Sequence, residues 1–252
     1  MAYLFWAWLI VIPAFVFSIV VGIIPGFLLK VVGLRKLGEK WTFWWGSKLS
    51  GFVIWLLGAQ IHTSGCYDAT VAKSKSGQPL CFVSNHTSIM DIPALLSLGV
   101  HCGFVAKEEL RFVPGVNAWI MAIHSVFLNR KSLRKGVKSI NKAVATVKKG
   151  CPMCIFPEGS RSKTGEIQSF KHGSFRLATE SGSEIVPVTI KGLRVSFEGR
   201  KKCFQRTDCY IDFGTAIKAP SSSDRDAVSN LITYVEDSIK QKYVALPAPS
   251  LN

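Results

Sequence analysis

The first 29 residues carry no charged side chain. A helix of about 20 apolar residues spans the hydrocarbon core of a bilayer, so the stretch is long enough to do so. Neither basic residues before the run nor a small-x-small cleavage site after it marks a secretory signal peptide. Tyr3, Phe5, Trp6 and Trp8 suit an interfacial aromatic belt, and Pro13 and Pro25 are expected to kink or end a helix. Lys30, Arg35, Lys36 and Lys40 then form a basic turn, the pattern of a cytoplasmic flank. Residues 41–61 are apolar again but are interrupted by Ser47, Lys48 and Ser50. This second run reads as a helix lying in or dipping into the interface, with two spanning helices as the alternative.

Charge narrows the class of partner. A net charge of +15 suits nucleic acid, an anionic membrane surface or anionic substrates, and the uncharged N-terminus favours the membrane. The seven cysteines (66, 81, 102, 151, 154, 203 and 209) are odd in number and irregularly spaced. They read as reduced core thiols rather than a disulfide framework. The Cys151-x-x-Cys154 pair has no second pair at zinc spacing and reads as part of a strand.

From Ile61 onward short apolar runs are divided by turns. Candidate strands are Ile61–Cys66, Leu80–Ser84, Gly103–Ala106, Ser125–Leu128, Pro152–Phe156, Ile185–Lys191 and Asp208–Phe213. Between them Leu133, Val137, Ile140, Val144 and Val147 recur at helical spacing, with Gly150 as a stop and Arg134, Lys135, Lys138, Lys142 and Lys148 on the other face. A last helix is expected over Asp224–Tyr243, capped by Ser223 and burying Leu231, Ile232, Val235 and Ile239. Strands alternating with helices indicate an α/β domain. The expected divisions are anchoring helices over 1–60, a catalytic domain over 61–245 and a tail over 246–252.

Two turns carry the chemistry. His86 follows a buried-type strand, and Asp91 lies five residues later, near a helix start marked by Pro93. That spacing does not put two side chains on one face of a helix. A turn running into a helix, however, lets the carboxylate reach an imidazole nitrogen, fix its tautomer and leave the other nitrogen as a general base. Downstream, Phe156-Pro157-Glu158-Gly159-Ser160-Arg161-Ser162 places a polar turn after another strand. Gly159 permits close backbone approach, and its neighbourhood is expected to offer N–H donors to an anion. Arg161 can grip a phosphate with two hydrogen bonds. Glu158 is expected to hold Arg161 or a substrate hydroxyl. His62, His101, His124 and His172 show no comparable carboxylate partner at a turn and read as structural.

Asn85-His86 with Asp91, followed by Phe156–Ser162, closely resembles the glycerolipid acyltransferase family. Its best-known bacterial members act on 1-acyl-sn-glycerol-3-phosphate. Lys107-Glu108-Glu109-Leu110 with Pro114 and Gly115, Phe127-Leu128-Asn129-Arg130, Phe170-Lys171-His172-Gly173 and Val186-Pro187-Val188 resemble further family blocks in the family's order. Ser160 stands where threonine is common. The resemblance implies a central mixed, largely parallel sheet flanked by helices. It implies acyl transfer from acyl-CoA or acyl-carrier protein to the second hydroxyl of lysophosphatidate, giving phosphatidate. His86, Asp91, Glu158 and Gly159 would form the catalytic set; Asn85, Lys107, Arg130, Ser160 and Arg161 would bind substrate, with Lys171 a weaker candidate. No metal or cofactor is implied. The expected location is a bacterial inner membrane, with the catalytic domain on its cytoplasmic side. Another lysolipid acceptor, such as a lyso-ornithine lipid or lysophosphatidylethanolamine, is the alternative within the class. A non-catalytic lipid-binding protein on the same fold is the alternative outside it.

Overall fold

The structure is a computed structural model and describes residues 2–129, 132–199 and 206–250. It opens with α1 (Ala2–Ser18), a π-helical turn (Ile19–Ile23) and α2 (Ile24–Val31) in one helical stretch. Pro13 lies within α1 and does not end it. Pro25 has no N–H for the carbonyl four residues back, that of Val21. The widened turn lies just before it, and Trp41 Nε1 donates to Val21 O at 2.8 Å instead. By length and composition, Ile12–Val31 is the one stretch among the described residues that is long and apolar enough to cross a membrane.

Residues 32–34 turn the chain into α3 (Arg35–Leu56). Arg35, Lys36 and Lys40 therefore belong to α3 rather than to the expected basic turn. The hairpin is held close by small residues: a Cβ on Gly38 would lie 2.5 Å from the Gly26 carbonyl oxygen. Phe43 and Ile54 of α3 enter the protein core, whereas Trp44 and Trp55 are exposed.

The remaining elements are β1 (Ala59–Gly65), α4 (Tyr67–Ser74), β2 (Leu80–Ser84), α5 (Asp91–Ser97), β3 (Gly103–Lys107), a 3-10 turn (Glu108–Phe112), α6 (Val116–Ala122), β4 (Val126–Leu128), α7 (Leu133–Lys148) and β5 (Met153–Ile155). They continue with α8 (His172–Ser181), β6 (Glu184–Lys191), α9 (Leu193–Ser196), β7 (Thr207–Phe213), β8 (Ile217–Lys218) and α10 (Arg225–Ala245). The sheet runs β1-β7-β6-β2-β5-β3-β4, with β8 beside β6. Pairings are parallel except β6 with β7 and β6 with β8. The sheet is thus mixed and largely parallel, as expected, and only β8 was not anticipated among the strands.

Side chains alternate across each strand. Phe82, Phe104, Val186 and Ile211 pack on one face with Phe43, Leu95 and Trp119. Val83, Ile155 and Ile185 pack on the other with Val147, Phe175 and Val235. Leu231, Ile232, Val235 and Ile239 are buried on α10 as the pattern predicts. Its cap is Asp224, not Ser223: Asp224 Oδ1 accepts from Ala227 N at 3.0 Å. Lys191 Nζ satisfies the other end of α10, donating to the carbonyls of Tyr243 at 2.8 Å and Leu246 at 2.6 Å. Cys81, Cys102, Cys154 and Cys209 are buried free thiols, and burial pushes Cys81 and Cys209 up to about 12. Cys203 lies outside the described residues.

Candidate active site

The sheet delivers the site's loops to one edge. β2, β5, β3 and β4 are mutually parallel neighbours, so the residues following them gather at their carboxyl ends. The turn after β2 wraps around one carboxylate. Asp91, the first residue of α5, accepts through Oδ2 from Thr87 N at 2.9 Å and Ser88 N at 3.0 Å, and the same oxygen meets His86 Nδ1 at 2.8 Å. This is the turn-into-helix geometry that the spacing requires. An acceptor on that side gives Nδ1 the proton and leaves the lone pair on Nε2. The ring stacks on Phe156, with centroids 4.0 Å apart and planes at 18°. Asp91 is fully buried, and Oδ1 has no partner among the described residues. Burial pushes its carboxyl above the usual range; the bond to His86 and the two backbone donors act against that rise.

The turn after β5 is fastened to the first. Glu158 Oε1 accepts from His86 N at 2.6 Å and Oε2 from Gln168 N at 3.0 Å, while Ser162 N donates to His86 O at 2.9 Å. Glu158 is buried and spends both oxygens on backbone N–H groups. It therefore does not hold Arg161, as the sequence suggested; it joins two loops. Burial raises its carboxyl as well, against the pull of those donors. Asn85 also differs from expectation. It is buried, with Nδ2 donating to Ile190 O and Oδ1 accepting from Ile190 N, both at 2.8 Å. Its amide is used across the sheet and is not available to a substrate.

Gly159 has φ +76°, a backbone region that favours glycine. Its own N–H is committed to Phe156 O at 3.0 Å. The N–H groups of Ser160 and Arg161 have no partner among the described residues, so donors near Gly159 have to come from these two. Arg161 is about half exposed and pairs with Glu198, Nη1 to Oε1 3.2 Å. Glu198 was not anticipated. It lies in no motif, and its sequence neighbours give no signal of proximity to the site. Arg130 lies outside the described residues. His62 and His124 do have carboxylate partners, Asp208 at 2.8 Å and Glu39 at 3.5 Å, supplied from distant segments.

A cavity of about 810 Å3 opens over the two turns. His86, Lys107, Gly159, Ser160, Arg161 and Lys171 form its polar end. Phe15 of α1, Leu49 and Val53 of α3, and Leu96, Trp119 and Ile123 of the domain line its apolar part. The helical hairpin is thus a wall of the cavity as well as an apolar segment. At that wall Trp119 Nε1 donates to Ser18 Oγ at 3.2 Å, and a Cβ on Gly46 would lie 3.2 Å from the Trp119 ring. A base-carboxylate pair, cationic side chains and free N–H donors beside an apolar chamber can deprotonate a hydroxyl, hold an anion and shelter an aliphatic chain.

Residues 67–191 match the family model described as acyltransferase. Over 191 residues the chain is 32% identical to the 1-acyl-sn-glycerol-3-phosphate acyltransferase of Borreliella burgdorferi, covering 75% of this chain and 74% of that one. Over 118 residues it is 40% identical to the chloroplastic 1-acyl-sn-glycerol-3-phosphate acyltransferase BAT2 of Brassica napus, covering 46% of this chain. It spans 34% of the length of that plant relative. The crystal structure of the 1-acyl-sn-glycerophosphate acyltransferase PlsC from Thermotoga maritima superposes with a TM-score of 0.72 at 27% identity, covering 94% of this chain and 95% of that one.

Proposed function

The chain belongs to the glycerolipid acyltransferase family, and on that premise we propose that it transfers a fatty acyl group from an acyl thioester to the sn-2 hydroxyl of 1-acyl-glycerol-3-phosphate, giving phosphatidate. The observation that carries this reading is the His86 Nδ1 to Asp91 Oδ2 contact of 2.8 Å at the polar end of an apolar cavity. His86 Nε2 takes the proton of the acceptor hydroxyl as its oxygen attacks the thioester carbonyl. The imidazolium so formed is stabilised by Asp91. The tetrahedral oxyanion is met by the N–H groups of Ser160 and Arg161; one such donor contributes about 3 kcal/mol to transition-state stabilisation. Collapse breaks the C–S bond, and the proton on His86 passes to the departing thiolate. No covalent enzyme intermediate is required.

Arg161 and Lys107 hold the acceptor's phosphate, and Arg130 belongs to the same proposal from sequence alone. The apolar part of the cavity takes an acyl chain. The donor is acyl-CoA or acyl-carrier protein. The uncharged stretch anchors the protein in a membrane, with the basic domain on the cytoplasmic side. The test is acyl transfer to lysophosphatidate from labelled acyl-CoA, using purified protein in detergent. Activity is expected in the wild type, and loss of at least about 100-fold in kcat is expected in His86→Ala. A wild type inactive on lysophosphatidate but active on lysophosphatidylethanolamine reassigns the acceptor. Inactivity on every lysolipid rejects the enzyme reading.

A further inference from the structure

Glu198 follows α9, outside every motif that the sequence offers. Its carboxylate nevertheless joins the two active-site turns. Oε2 accepts from Ser88 Oγ at 2.7 Å, and Oε1 accepts from Ile89 N at 2.8 Å and from Arg161 Nη1 at 3.2 Å. Ser88 Oγ in turn accepts from Met90 N at 3.0 Å. Glu198 therefore braces the turn directly before Asp91 and, with the same group, fixes one edge of the Arg161 guanidinium. Its side chain is 20% exposed and that of Arg161 47%.

We propose that Glu198 is the positioning residue that presents Arg161 to the acceptor's phosphate. This rests on the acyl-transfer reading above. An exposed ion pair contributes little to stability, so the pair's value lies in orientation. Arginine has five N–H donors in a rigid fork. Held through Nη1, the side chain keeps its remaining donors for two parallel bonds to a phosphate. Without that hold, the phosphate itself has to immobilise a long side chain, and the cost falls on acceptor binding. Glu198 acts through Arg161 and through the Ser88–Met90 turn, and it touches no reacting atom.

The experiment compares full-length wild type, Glu198→Gln, Arg161→Ala and the double variant in acyl transfer to lysophosphatidate. In Glu198→Gln the KM for lysophosphatidate is expected to rise about fivefold, with the donor KM changed less than about twofold and kcat lowered less than about threefold. In the Arg161→Ala background Glu198→Gln is expected to add no further rise in acceptor KM, because the guanidinium that Glu198 presents to the phosphate is gone; its hold on the Ser88–Met90 turn bears on kcat. An unchanged or lowered acceptor KM, an equal rise in donor KM, or the full effect without Arg161 overturns the proposal. A second readout needs no activity: phenylglyoxal labelling of Arg161 in the folded chain, followed by peptide mass spectrometry. Arg161 is expected to label several-fold faster in Glu198→Gln, and equal rates overturn the proposal. A wild type that acylates no lysophosphatidate rejects the reading of the reaction, and the labelling rates then still decide the role of Glu198.

Discussion

At the scale of single residues, the role proposed for Asp91 sets catalysis against stability. Its carboxyl is pushed above the aspartate value of 3.8 by burial, so the ionised form is disfavoured by folding. For an acid whose folded pKa is raised, that cost is present above the folded value and vanishes as pH falls below the unfolded one. Asp91→Asn removes the buried charge, and its side-chain oxygen can still accept from Thr87 N and Ser88 N. Thermal unfolding at neutral pH should therefore show a Tm equal to or above that of the wild type. The difference should close as pH drops toward 3.8. The same variant should lose about a thousandfold in kcat, because a neutral amide in place of the carboxylate no longer stabilises the imidazolium that forms on His86. A variant that is both less stable and fully active would rule out Asp91 as the group that orients His86. Glu158 and Asn85 fit the same scale. Both were legible as residues of the site, and both turn out to hold backbone rather than substrate, a distinction that depends on which groups face them across the sheet.

At the scale of elements, the strands were legible because each is a short buried run closed by turn residues, and α7 and α10 were legible from helical periodicity. Sheet order was not, since no local pattern tells β7 to insert between β1 and β6. Glu198 was hidden for the same reason: the α9 turn brings it to Ser88, 110 positions away in sequence. The cap of α10 shifted by one residue because Ser223 and Asp224 are both competent and only the backbone entering the helix decides. The hairpin of α2 and α3 depends on the absence of side chains at its crossing. Gly38→Val would drive a branched side chain against the Gly26 carbonyl, a backbone atom that cannot swing aside. Overpacking of this kind costs about 1–3 kcal/mol. Chemical denaturation should show a loss in that range for Gly38→Val and little change for Gly51→Val, whose Cβ meets nothing within 4 Å.

At the scale of the whole molecule, the N-terminal helices and the sheet that carries the candidate site are not separable units. Phe43 and Ile54 from α3 belong to the same core as Phe82 and Leu95, and Phe15, Leu49 and Val53 line the chamber beside His86. A variant lacking residues 2–56 should therefore lose solubility or cooperative unfolding and should not retain activity on long-chain substrates. Size-exclusion chromatography and the acyl-transfer assay together check this. A soluble, fully active remainder would make the hairpin a simple tether. The hairpin wall also has a kinetic consequence. If the chamber that receives the aliphatic chain is bounded by the element that sits in lipid, substrate enters it by lateral diffusion within the leaflet. The rate then follows the mole fraction of lysolipid in the surface, and diluting that surface with inert lipid slows turnover even when the amount of substrate per volume is unchanged.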